Sequence, residues 1–244
     1  VTPKPVQDPH PAPWMAATSS GSSELAGSLG MGLLSFAILQ PVSSMAKTIA
    51  AYRGAAAKAE PITRVRNDRV AAYTLAHCAP SAAKADENNV WESVWWWYHN
   101  LAQFTLEWEF SHLPKDQQDA YFPFLKQHAD GDFDPRAFND MDMIIVGDPD
   151  TCMDKVLKYE AIGVDQLICY QTFGHLSHEA VMESIALLGK EIIPELEKRG
   201  HRVEIHGLDP VAKPGARFDE LTAGAQNSVD AHEARKAAKA ASTS

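Results

Sequence analysis

The chain has 244 residues, of which 45% are hydrophobic and 22% charged, with a formal net charge of −10. This is globular composition, enough for one large domain or two small ones, and the negative balance argues against nucleic acid as a principal partner. No apolar run is long enough to cross a bilayer and no basic-then-apolar leader is visible, so the expectation is a cytoplasmic protein without membrane contact.

Prolines at positions 3, 5, 9, 11 and 13 favour an extended lead-in. Val1 falls inside that connector, and the expectation is a chain whose beginning is missing or cut away. Residues 14–18 (WMAAT) suit a short buried strand. Ser19 to Ser22 form a turn, with Ser22 or Ser23 as the N-cap of a helix that closes at Gly30. The continuous apolar run over 32–39 (GLLSFAIL) fits a parallel strand covered on both faces. An Ala-rich helix capped by Ser43 or Ser44 follows over 42–59, and residues 69–78 form a third strand stopped by Ala79-Pro80-Ser81.

A helix starting near Ser81 runs into an aromatic stretch in which Trp91, Trp95 and Tyr98 share one face. Trp96 and Trp97 face elsewhere, so this helix is expected to be covered on more than one side. Residues 111–141 are polar and carry three prolines, an excursion from the scaffold. After a short apolar segment over 144–147, Asp148 caps a helix with Pro149 at its first position, ending near Gly163. Residues 165–173 form the last strand, and Ser177 caps a long helix to Glu197 that Pro194 kinks or ends. Beyond residue 200, residues 203–208 suit a short strand and the remainder a mobile tail, with a transient helix near 229–241. Four strands alternate with helices, which predicts a parallel sheet: a small open α/β sheet, or half of a (β/α)8 barrel.

The turn Thr18-Ser19-x-x-Ser22 is the leading chemical candidate. Hydroxyls, free backbone N–H groups and the positive end of a helix dipole converge there, which suits a phosphate; the same residues also fit an ordinary Ser-rich helix start. The turn matches neither a Walker loop nor GxGxxG. His175 and His178 are spaced HxxH but lack a third ligand, so no metal is assigned. His77 and Cys78 are adjacent on a strand and point to opposite faces, which disfavours a catalytic dyad. His77, Cys78, Tyr170, Gln171 and Thr172 stand at strand ends, where barrel active sites lie. The cysteines Cys78, Cys152 and Cys169 are widely spaced and read as buried free thiols.

The run PKPVQDPHPAPWMAATSSGSSELAGSLGMGLLSF (3–36) resembles the middle of the bacterial luciferase-like, flavin-dependent monooxygenases. The run VGDPDTCMDKVLKYEAIGVDQLICYQTFGHLSHEAVMESIALLGKEIIPEL resembles that family's C-terminal portion, in the right order. The resemblance spans roughly residues 1–198. It implies the C-terminal half, about four βα units, of a luciferase-like TIM (β/α)8 barrel. Residues 1–200 would be a partial flavin-binding domain with a helical insertion over about 83–143, and residues 201–244 a mobile, disordered tail. It implies reduced FMN, supplied by an NAD(P)H:flavin reductase, and oxygenation of an apolar organic substrate with O2. Thr18, Ser19 and Ser22 match the FMN phosphate site, and Ser35 and Phe36 the strand end near the isoalloxazine ring. Thr18 stands where light-emitting members carry an acidic residue, which argues against light emission and not against flavin. The catalytic residues are expected in an N-terminal half, so none is assigned here. A homo- or hetero-dimer is expected at full length. An F420-dependent oxidoreductase of the same superfamily and a non-catalytic flavin-binding or structural subunit remain as alternatives.

Overall fold

A computed structural model describes residues 5–200 and the two-residue strand Asp209–Pro210. The expected tail over 201–244, with its strand over 203–208 and helix over 229–241, otherwise lies outside the described residues. The chain divides into two compact units. The first holds residues 5–34 and 47–70 with the 209–210 strand, and the second Ser35–Ala46 with residues 71–200.

In the first unit, β1 (Trp14–Ala16) and β2 (Gly32–Phe36, to Leu34 in this unit) pair in parallel, with Trp14 opposite Gly32 and Ala16 opposite Leu34. Helix α1 (Ser20–Ser28) connects them. Its N-cap is Ser19, not the expected Ser22 or Ser23: Ser19 has extended backbone and its side chain accepts the Ser22 amide. An extended residue with a free oxygen must precede the first helical turn, and Ser22 and Ser23 already lie within it. Helix α1 packs closely on α2 (Val42–Ala56), since a Cβ on Gly27 would stand 2.5 Å from the Tyr52 carbonyl. Helix α2 starts directly after Pro41, whose carbonyl accepts the Ser44 and Met45 amides, so Ser43 and Ser44 lie inside the helix instead of capping it. The buried Tyr52 hydroxyl reaches the carbonyls of Met31, Asn67 and Arg69 at 3.1, 3.3 and 3.4 Å. Buried Asn67 donates to the Pro13 carbonyl and accepts the Arg69 amide, which ties the proline-rich lead-in to the body of the unit. The short strand β3 (Val65–Arg66) pairs antiparallel with the Asp209–Pro210 strand.

The second unit is built around β4 (Val70–Cys78) from Ala71 onward. Its early residues pair in parallel with β6 (Gln166–Tyr170) and its last three with β5 (Ile145–Gly147). The segment over 144–147 is therefore a sheet strand, which its brevity concealed. The expected strand over 32–39 ends at Phe36 and gives way to a 3-10 turn over Ala37–Leu39. The last strand likewise covers 166–170, not 165–173, and most of its side chains are exposed. Ser81 caps α3 (Ala82–Glu87), and Asn89, in left-handed backbone, separates it from α4 (Val90–Trp108). The excursion carries three short helices, α5 (Lys115–Tyr121), α6 (Pro123–Ala129) and α7 (Arg136–Asp140).

The buried stripe of α4 is Val90, Val94, Tyr98, Ala102 and Leu106. It is turned by one residue from the expected Trp91, Trp95, Tyr98 face. Small side chains let the helix approach the core closely, while the larger indoles are covered from the side. Trp95 stacks on His128 with centroids 3.6 Å apart, and Tyr98 on Phe138 at 3.5 Å. Trp97 packs against the core, but Trp96 is 41% exposed, so the expected cover does not extend to it among the described residues.

Asp148 and Pro149 open α8 (Pro149–Ala161), with the Asp148 carboxylate accepting the Thr151 amide as expected. Ser177 caps α9 (His178–Leu187), a π turn follows over Leu188–Ile192, and α10 (Ile193–Lys198) carries Pro194 in its first turn. The break thus begins one turn ahead of the proline, whose missing N–H cannot continue an α-helical ladder.

Candidate functional site

In the first unit the site candidate is the N-terminus of α1, which follows the C-terminal end of the parallel strand β1. Thr18 and Ser19 are exposed and Ser22 is half-buried. Ser19 Oγ donates to Ser22 Oγ at 3.0 Å and accepts the Ser22 amide at 3.2 Å. Ser23 Oγ turns inward to the Ser19 carbonyl at 2.9 Å. This leaves the Ser22 hydroxyl proton free to point outward, beside the first amides of the helix, which have no intrahelical acceptor. The first turn of α1 holds no acidic side chain. A Cβ on Gly21 would meet nothing within 4 Å, so the approach is open. Ser19 and Ser22 are therefore brought together beside the first helical amides and a positive dipole end, a setting that suits an anion, and Thr18 is the exposed residue just before them.

The other two candidates, Ser35 and Phe36, belong to the second unit. Ser35 is fully buried, and its Oγ accepts Gln40 Nε2 at 3.3 Å. Phe36, one residue on, faces the opposite side. There it meets Tyr73 edge-on at 5.8 Å, and Tyr73 stacks on Tyr170 at 6.0 Å. Three neighbouring half-buried rings from β2, β4 and β6 form a row, with Phe173 beside Tyr170 at 6.3 Å. Burial, and then the Tyr170 phenol, push the Tyr73 hydroxyl above its ordinary pKa, so it stays protonated at neutral pH. Tyr73 is the member that sequence reasoning missed. The alternation Tyr73-x-Leu75-x-His77 could have placed it on the face of the strand-end residues.

At the C-terminal end of β4, His77 and Cys78 do part to opposite sides. His77 is buried, its Nε2 facing Asn88 Nδ2 at 3.1 Å; burial lowers its pKa and keeps the ring neutral. The Cys78 amide donates to Ser184 Oγ at 2.8 Å, and Ser184 in turn donates to Gln171 at 2.7 Å. Gln171 thus helps to hold the strand end. The His175 ring packs near Trp96, 5.7 Å away. Among the described residues no three His, Cys, Asp or Glu side chains form a metal-binding group, and no helix is long and apolar enough to cross a membrane.

The family model described as luciferase-like monooxygenase matches residues 1–166. No curated protein sequence matches the chain. Among solved structures, the fold is similar to monooxygenase RslO1 of Streptomyces bottropensis, at 18% identity and TM-score 0.51, covering 80% of this chain and 51% of that one. It is also similar to the oxygenating constituent of 3,6-diketocamphane monooxygenase from the CAM plasmid of Pseudomonas putida, a structure in complex with FMN. There the identity is 20% and the TM-score 0.50, with 76% of this chain and 49% of that one covered. A coenzyme F420-dependent tetrahydromethanopterin reductase from Methanopyrus kandleri matches at 21% identity and TM-score 0.45, covering 75% and 50%. The chain thus spans about half the length of the structures it matches, and its parallel strands and helices are those of the luciferase-like barrels. With two thirds of its length matched by the family model, the chain belongs to the luciferase-like monooxygenases.

Proposed function

We propose that the protein is a flavin-dependent monooxygenase that uses reduced FMN and O2 to oxygenate an apolar organic substrate, such as an aldehyde or alkane. The observation that carries this is the N-terminus of α1, where the Ser19–Ser22 hydroxyl pair and the first helical amides stand together without a competing carboxylate, next in sequence to exposed Thr18. A dianionic phosphate gains both dipole attraction and charge-assisted hydrogen bonds at such a place.

Bound FMN would supply the activation of O2. The chain's own part is to hold and shelter. Ser19 shapes the turn, Ser22 and Thr18 donate to phosphate oxygens, and the helix amides complete the cradle. On the second unit, Phe36, Tyr73 and Tyr170 offer a row of half-buried aromatic rings that suits an apolar chain. Ser35 fixes the end of β2 through Gln40. Reduced FMN comes from a separate NAD(P)H:flavin reductase.

Oxygen uptake tests this. The full-length protein, supplied with reduced FMN and a long-chain aldehyde, consumes O2 faster than reduced FMN alone and yields oxygenated product. Absence of product together with tight F420 binding would replace the reading with a hydride-transferring F420 enzyme. Flavin binding without either activity would favour a structural subunit.

A further inference from the structure

Two nucleophilic side chains take no part in the proposed cofactor chemistry. Cys78 ends β4 and Cys152 stands in the first turn of α8, and both are fully buried. The sheet sets Cys78 opposite Gly147, the residue just before the Asp148 cap. The Cys152 amide donates to the Asp148 carbonyl at 2.9 Å, which turns its side chain back toward the strand end. Its Sγ lies 3.7 Å from the Gly147 carbonyl and 4.0 Å from that of His77, the residue preceding Cys78. Cys78 and Cys152 are thus neighbours, and each shifts the other's ionisation.

We propose that Cys78 and Cys152 form a peroxide-responsive dithiol that closes to an intramolecular disulfide. The oxidant is hydrogen peroxide, which reduced flavin yields from O2 when oxygenation does not follow. That supply rests on the FMN reading; the bond itself does not. The Cys78 thiolate attacks one peroxide oxygen, the O–O bond breaks, and the departing hydroxide takes a proton and leaves as water. The Cys152 sulfur then attacks the sulfur of the resulting sulfenic acid, the S–O bond breaks, and the Cys152 proton leaves with that oxygen as a second water. Two thiols lose two electrons and one peroxide becomes two waters.

Cys78 is the attacking sulfur. The Cys152 thiol keeps its proton toward the Gly147 and His77 carbonyls, and its nearness to Cys78 and its burial push it above the usual thiol range, while Cys78 is held below that range. Burial makes the reaction slow, with entry through opening of the first turn of α8. Cys169, expected to be buried, is exposed instead, and is therefore removed in the test.

The test uses the purified protein carrying Cys169→Ser, and the unsubstituted protein beside it, both treated with hydrogen peroxide without flavin. Each sample is then alkylated under denaturing conditions and mapped by mass spectrometry. The expected result is one peptide pair joined through Cys78 and Cys152. The intact mass of the Cys169→Ser protein falls by about 2 Da, dithiothreitol restores it, and a further Cys152→Ala change abolishes it. The proposal is overturned if both thiols stay alkylatable, if they end as sulfinic acids without a cross-link, or if the unsubstituted protein joins either one to Cys169 instead. Cross-linking by added peroxide, but not during turnover with reduced FMN and air, retains the dithiol and removes the flavin as its oxidant source.

Discussion

Lys155 Nζ donates to the Asp142 carboxylate at 2.9 Å, with the two side chains 9% and 19% exposed. Lys158 adds a second bond at 2.8 Å, and the Tyr159 hydroxyl donates to the Asp142 carbonyl at 2.8 Å. Asp142 itself sits in left-handed backbone, φ +56°. Three side chains of α8 thus pin the residue that leads from the helical insertion into β5.

Asp142→Ala removes the charge, leaves Lys155 buried without its partner, and places Ala where Asp or Asn is better tolerated. The expected loss is about 3–5 kcal/mol, the usual cost of breaking a buried pair from one side. Burial pushes the Asp142 carboxyl up, but the Lys158 and Lys155 hydrogen bonds outweigh it and hold it low. A folded pKa below the unfolded one gives stability that is full above the unfolded value, about 3.9, and is lost as pH falls through the folded one. Denaturant midpoints measured from pH 5 to pH 2.5 should fall less steeply in Asp142→Asn than in the unsubstituted protein.

His77 sets a second, higher pH window. Its folded pKa lies below the unfolded value because burial disfavours the imidazolium. The unfolded chain therefore takes up the proton first, and stability falls as pH drops below about 6.5. His77→Gln should be less stable at pH 7.5 yet show a flatter profile between pH 7.5 and 5.5. Urea melts across that range decide it, and an unchanged slope would mean that His77 is not the group responsible.

Two glycines should respond with opposite signs. Helix propensity alone makes Gly→Ala worth up to about 1 kcal/mol in a helix interior. Gly54, in α2, has open space around a new Cβ, so Gly54→Ala should gain roughly that much. At Gly27 the Cβ would meet the Tyr52 carbonyl at 2.5 Å and the Ala56 nitrogen at 2.9 Å, both backbone atoms that cannot swing aside. Gly27→Ala should cost about 2 kcal/mol or more by forcing α1 and α2 apart. Thermal or urea unfolding of the two variants side by side reads this directly.

What the sequence made legible was local. Asp148-Pro149 and Ser177 announce helix starts within three residues, and both caps hold in the structure. The Ser19-to-Ser22 turn was equally visible, although its cap was displaced because several hydroxyls compete there and only backbone geometry selects one. Features that depend on lateral register were not legible. The Phe36, Tyr73 and Tyr170 row needs three strands aligned, and the Cys78–Cys152 contact joins residues far apart in the chain. The α4 stripe was misread because tryptophan bulk suggests burial, whereas close packing on the core selects the smaller Val90, Val94 and Ala102.

The phosphate cradle predicts that Ser19→Ala carries two losses at once. The missing cap costs about 1 kcal/mol of stability. The loosened turn also misplaces the Ser22 hydroxyl, so FMN affinity falls while the melting curve stays cooperative.

The central claim is that α1 holds the phosphate of FMN, and comparative titration of FMN and riboflavin tests it most directly, because the two share the ring and differ in the phosphate. The account predicts that the protein prefers FMN by at least about tenfold, the worth of one charge-assisted hydrogen bond, and that Ser19→Ala with Ser22→Ala erases most of the difference. Equal affinity for FMN and riboflavin, or a preference untouched by the two substitutions, would contradict it.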